Sequence, residues 1–118
     1  AQILQNAESD IRSTLNLAKS RSLSQAKPSQ CASQVLSGYR MTISISSRSY
    51  TLEAVCSAAT YNIKTTTLHP DLTFGSGTNP TSFFFPVIVS GVTGSGTIVV
   101  SGYGQSRTIT IDSIGGIR

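Results

Sequence analysis

Two cysteines, one histidine and five carboxylates are the side chains of this 118-residue chain best placed for chemistry. Cys31 and Cys56 lie too far apart for a CxxC motif. Two thiols with one distant histidine make a poor metal site, so neither metal nor other cofactor is expected. In a Ser/Thr-rich chain with the look of an exported protein, the two thiols read as a disulfide. The alternative is a pair of buried free thiols acting as small hydrophobes. Oxidised, they would tie the segment after the first element to the second strand. They would close a loop of about 25 residues, for which chain entropy gives roughly 3–4 kcal/mol.

His69 stands before Pro70 in a loop with no evident acid partner and reads as a surface or capping residue. Glu8, Asp10, Glu53, Asp71 and Asp112 are scattered, and the two on the first element cannot form a glycosidase pair by themselves. Serine is abundant, but no GxSxG elbow occurs. Gly75-Ser76-Gly77 and Gly94-Ser95-Gly96 read as turns, because a phosphate loop needs a following lysine and a helix. The chain is therefore not expected to be an enzyme.

The elements that position these residues divide near Pro28. Ile3, Ala7, Ile11, Leu15 and Ala18 recur every three or four residues, with Leu4 beside them, while Gln5, Glu8, Arg12, Asn16 and Lys19 lie away. This is the apolar stripe of an amphipathic helix. Glu8 and Asp10 sit early and Lys19, Arg21 and Lys27 late, the order the helix dipole favours. Glu8 and Arg12 form an i,i+4 pair. The Lys27-Pro28 step is expected to end the helix, since a residue before proline is pushed out of the α region.

From Gly38 onward the pattern alternates. Tyr39–Ser46 predicts a strand with Met41, Ile43 and Ile45 on one face. A turn at Ser47–Ser49 leads to a second strand with Tyr50, Leu52, Ala54 and Cys56 facing in. Tyr61–Leu68 predicts a third, partly exposed strand. Leu72–Phe74 resumes it after His69-Pro70, and residues 75–80 read as a loop. Phe83–Phe85 predicts a core strand stopped by Pro86, followed by Val87-Ile88-Val89. A last hairpin pairs Thr97–Ser101 with Arg107–Asp112 across a turn at Gly102–Ser106. The expected class is α+β, an N-terminal helix on an antiparallel β-rich head, in one domain over residues 1–118. The helix occupies 1–27 and the head 38–118.

The formal charge is +4, the sequence pI about 9.4, and charged residues are 12% of the chain. The nine basic residues are spread out and read as solubilising charge. Tyr103 beside Arg107 comes nearest to a nucleic-acid stacking platform. No run approaches the roughly 18 apolar residues of a membrane span.

The helix ending Ala18-Lys19-Ser20-Arg21-Ser22-Leu23-Ser24-Gln25-Ala26 is followed by Gly38-Tyr39 opening a strand. The closing run is Gly96-Thr97-Ile98-Val99-Val100 and then Arg107-Thr108-Ile109-Thr110-Ile111-Asp112-Ser113-Ile114-Gly115-Gly116-Ile117. Over nearly the whole chain this resembles the GspH/FimT-like minor pilins and pseudopilins of type IV pili and type II secretion systems. The resemblance implies a pilin-like fold, whose helix continues upstream as a membrane anchor and fibre core, and a leader removed by a prepilin peptidase. Ala1, without an N-cap, then falls inside that helix.

The implied function is a structural subunit, a minor pilin, of an extracellular filament serving assembly, adhesion or DNA uptake. A secretion pseudopilin is the alternative, and a free-standing secreted adhesin or binding β domain is another. The implied partners are other pilin subunits through the helix, the inner membrane through the anchor, and DNA or a surface ligand. Some members bind DNA through arginines near the C-terminus. Arg118 and Arg107 occupy corresponding ground, although Gly116 stands where a second basic residue could be expected.

Overall fold

The computed structural model describes residues 2–25, 27–31, 33–57, 59–79, 81–87, 95–113 and 116–118. Helix α1 spans Gln2–Leu23 and buries Leu4, Ile11, Thr14, Leu15, Ala18 and Ser22. The stripe is centred on Leu4, while Ile3 stays 37% exposed. Its first turn holds no acidic residue, so Glu8 and Asp10 lie beyond the reach of the dipole's positive end.

The helix also stops before Pro28. Gln25 adopts φ 55° and its N–H bonds the Ser22 carbonyl at 3.2 Å, a left-handed termination made without glycine. A short 3₁₀ turn at Ser29–Cys31 follows.

Seven strands form two sheets. They are β1 (Leu36–Ser44), β2 (Ser49–Cys56), β3 (Thr60–Thr67), β4 (Thr73–Phe74), β5 (Ser82–Pro86), β6 (Gly96–Gly102) and β7 (Gln105–Ile111). The first sheet has the order β3-β2-β1-β5 and the second β4-β6-β7, all antiparallel. The chain thus leaves the first sheet after β3, visits the second with β4, returns with β5 and ends in the second.

Alternation explains the inner faces. Tyr39, Met41 and Ile43 of β1, Tyr50, Leu52, Ala54 and Cys56 of β2, and Phe83 and Phe85 of β5 are buried. They join Ile98, Val100, Ile109 and Ile111 of the second sheet in one apolar cluster, which α1 covers across both sheets. Burying a side chain such as Leu15 contributes roughly 1.5–3 kcal/mol.

Four expectations need correction. Thr73–Phe74 does not resume the third strand but pairs with β6 in the other sheet, because the chain crosses over at His69-Pro70. Ile45 lies in the β1–β2 turn and is exposed rather than facing in. The last hairpin turns on only two residues, Tyr103 (φ 55°) and Gly104 (φ 72°), as a tight two-residue turn requires positive φ at both. The stretch 75–79 keeps to the edge of β6. There Gly75 N–H bonds the Val99 carbonyl at 2.6 Å and Asn79 bridges Thr97. A Cβ on Gly75 would sit 2.7 Å from Val99 Cγ1, so this approach requires glycine. Buried Thr78 replaces a strand residue: its hydroxyl accepts from Val99 N at 2.9 Å and donates to Val99 O at 3.2 Å. Of the expected Val87-Ile88-Val89 segment, Ile88 and Val89 lie outside the described residues, and Val87 forms a bend after β5.

Candidate functional site

The two cysteines are joined. Cys31 in the 3₁₀ turn is bonded to Cys56 at the end of β2, with Cα atoms 6.1 Å apart. Both are buried. Nearby, the Ser22 hydroxyl near the end of α1 accepts the Tyr39 N–H at 3.1 Å. The exit from the helix is therefore tied covalently to β2 and by hydrogen bond to β1. Burial raises the Tyr39 phenol above its ordinary pKa, opposed by the charge of Arg21 and a hydrogen bond to it.

The two candidate DNA contacts are not brought together. Arg107 pairs in register with Val100 and shares a face of β7 with Ile109 and Ile111. It is exposed and makes no ion pair with a described residue. Arg118 and Thr110 exchange two backbone hydrogen bonds of 2.9 Å, which places Arg118 on Thr110's face of the sheet, opposite Arg107. Its guanidinium reaches Asp112 Oδ2 at 2.8 Å, and Asp112 Oδ1 accepts the Gly116 N–H at 2.7 Å. Residues 116–118 thereby cover part of the outer edge of β7. A Cβ on Gly116 would collide with the Asp112 carboxylate, so glycine there, where a basic residue could be expected, serves this clasp.

His69 does have an acid beside it, two residues further on. Asp71 places Oδ2 3.7 Å from His69 Nδ1, and the Asp71 N–H donates to the same nitrogen at 3.2 Å. Tyr103 donates its hydroxyl to Asp71 Oδ2 at 2.8 Å, and Arg48 donates to the Pro70 carbonyl at 2.7 Å. Arg48 (φ 54°) and Tyr103 are both left-handed non-glycine residues. From turns in different sheets, they fasten the 69–71 loop. The His-x-Asp spacing was the available signal, while the Tyr103 partner, 32 residues beyond Asp71, had none. These contacts brace the two sheets against each other.

On α1, Leu17 and Leu23 are 38% and 46% exposed, Leu17 on the same side of the helix as Asp10 and Leu23 away from it. Where α1 meets the edge strand β3, a groove of about 270 Å³ opens, floored by Ile3, Ala7, Leu68 and Leu72 and rimmed by Asp10 and His69. Tyr50 lies beneath it. Burial raises its phenol above the ordinary value; hydrogen bonds to the Thr66 and Thr14 side chains oppose this, and the Asp10 charge adds to it. Among the described residues no cluster of three or more metal-ligating side chains occurs, and no helix is long and apolar enough to cross a membrane.

One amphipathic helix laid across two antiparallel sheets is a pilin-like α+β architecture, of the GspH-like pseudopilin type. The chain is similar in structure to the minor pseudopilin EpsH from the Type 2 Secretion System of Vibrio cholerae, with a TM-score of 0.71. The match covers 98% of this chain and 94% of that one, at 16% sequence identity. No family model matches the chain, and no curated protein matches it by sequence.

Proposed function

We propose that this chain is the head and adjoining helix of a pilin-like filament subunit, one working unit over its 118 residues. The observation that carries the reading is the end-to-end likeness to a minor pseudopilin, which spans the helix as well as both sheets. The exposed apolar residues of α1, Ile3, Leu17 and Leu23, support packing against other subunits. Function is then assembly rather than catalysis, in an extracellular filament of the pilus or secretion kind, with anchorage upstream of Ala1.

The deciding experiment is mass spectrometry of the native N-terminus in the source cells. An N-methylated residue followed by about twenty apolar residues running into Ala1 supports the filament subunit. A mature terminus at Ala1 leaves a secreted binding domain instead.

DNA capture is a second role for the head, favoured by Arg107, which is exposed and makes no ion pair with a described residue. Binding would be sequence-independent and salt-sensitive, and Arg107→Ala would lower the slope of log K against log[salt] by about one. Fluorescence anisotropy with duplex DNA reads this; unchanged binding in Arg107→Ala clears that residue.

A further inference from the structure

Four of the five carboxylates are already partnered. Glu8 pairs with Arg12, Glu53 with Arg40 and Asp112 with Arg118, and Asp71 accepts the Tyr103 hydroxyl. Asp10, exposed on α1, makes neither an ion pair nor a side-chain hydrogen bond to a described residue. In a chain of net charge +4 this is the one carboxylate left over. It lines the groove between α1 and β3, whose apolar lining is Ile3, Ala7, Leu68 and Leu72 and whose polar lining includes Asn6 and Thr66. A second, smaller groove of about 230 Å³ adjoins it, also lined by Asp10, with Lys64 on its far wall beyond ion-pair distance. That second groove has a cation of its own. The first has no lysine or arginine in its lining.

We infer that the first groove receives a lysine or arginine side chain from a neighbouring subunit, its methylene stem on the Ile3–Ala7–Leu68–Leu72 floor and its cationic head on Asp10. Long basic side chains bury their stems on apolar surface and keep their heads polar, which is the division this groove offers. A charge-assisted hydrogen bond at its mouth supplies direction. A purely apolar occupant would cover Asp10 without giving it a partner, at a desolvation cost. The identity of the donor rests on the filament reading; the chemistry of the groove does not.

The test titrates the ¹⁵N-labelled chain with n-butylguanidinium and n-butylammonium, and with n-pentanol as the uncharged control. Amide shifts at Ala7, Asp10, Leu68 and His69 are expected with the cations, and pentanol binds more weakly. Asp10→Asn weakens cation binding about tenfold, and Lys64→Ala leaves it unchanged. Equal binding of pentanol, shifts confined to another surface, or an Asp10→Asn variant that binds as before would each overturn the inference without touching the filament reading. In the full-length protein in its own cells, Asp10→Arg should then block incorporation into filaments. If it assembles normally despite Asp10-dependent probe binding, the donor is not a neighbouring subunit. If the unsubstituted protein forms no filament, the functional reading fails while the probe result still stands for the groove.

Discussion

At the scale of single residues, a few side chains replace main-chain interactions, and these are where substitution is most informative. Thr78 satisfies both backbone groups of Val99 through one hydroxyl. Thr78→Val keeps the shape and orphans the Val99 N–H, while the Val99 carbonyl keeps the Gly75 N–H, so the expected loss is about 1–3 kcal/mol, read by chemical denaturation. Buried Tyr50 gives a pH signature. Its native phenol resists ionisation more than the unfolded one, so the native state keeps its proton where the unfolded chain has lost it. Stability from this site is complete below the ordinary tyrosine value near 10 and falls as pH rises through the raised native value. Tyr50→Phe should flatten that alkaline decline in thermal melts taken along a pH series. An equally steep decline in the variant would assign it elsewhere, Tyr39 being the next buried phenol.

At the scale of elements, the helix and the local hairpins were legible because their signals are periodic and short in range. Ile11, Leu15 and Ala18 mark a face at period 3.6, and Met41-Thr42-Ile43 marks one at period two. Ends were less legible. Pro28 looked like the stop, yet Gln25 ends the helix by adopting a conformation that costs an L-residue roughly 1–2 kcal/mol. Gln25→Gly should therefore stabilise the protein by about 1 kcal/mol, measured as a shift in denaturation midpoint with an unchanged m-value. The tight Tyr103-Gly104 turn escaped for a related reason: tyrosine carries no preference for positive φ, and its hydrogen bond to Asp71 comes from another part of the chain. Likewise, nothing local in residues 75–79 announces that they border β6.

At the scale of the molecule, neither the exchange of strands between sheets nor the candidate site could be read in advance. Both depend on non-local pairing: β5 returns to β1 after the chain has visited the other sheet. Asp10 looked like an ordinary surface acid on a helix. Only the fold shows that every other carboxylate is spoken for and that an apolar groove lies at its side. The relative placement of Arg107 and Arg118, the two candidate DNA contacts, is also visible only at this scale. Strand parity sets them on opposite faces, and the clasp at Asp112 holds one of them. Predicting this needed the pairing of residues 116–118 with β7, which the Gly116-Ile117-Arg118 sequence does not announce.

The bond between Cys31 and Cys56 has a mechanical meaning. It encloses the β1–β2 hairpin within a covalent loop, with 25 residues of sequence separation. A pull entering along α1 and leaving through β7 passes across the sulfur bridge, so those residues cannot be paid out as slack. Stretched in an optical trap, the oxidised protein should release roughly 75–85 Å less chain than the reduced one, at up to about 3.3–3.6 Å per residue less the 6.1 Å that the bridge itself spans. Equal release in both states would place the load path elsewhere. A subunit built this way has a hard limit to its extension, and the hairpin that carries most of β1 and β2 stays folded in length even after every hydrogen bond around it has been broken.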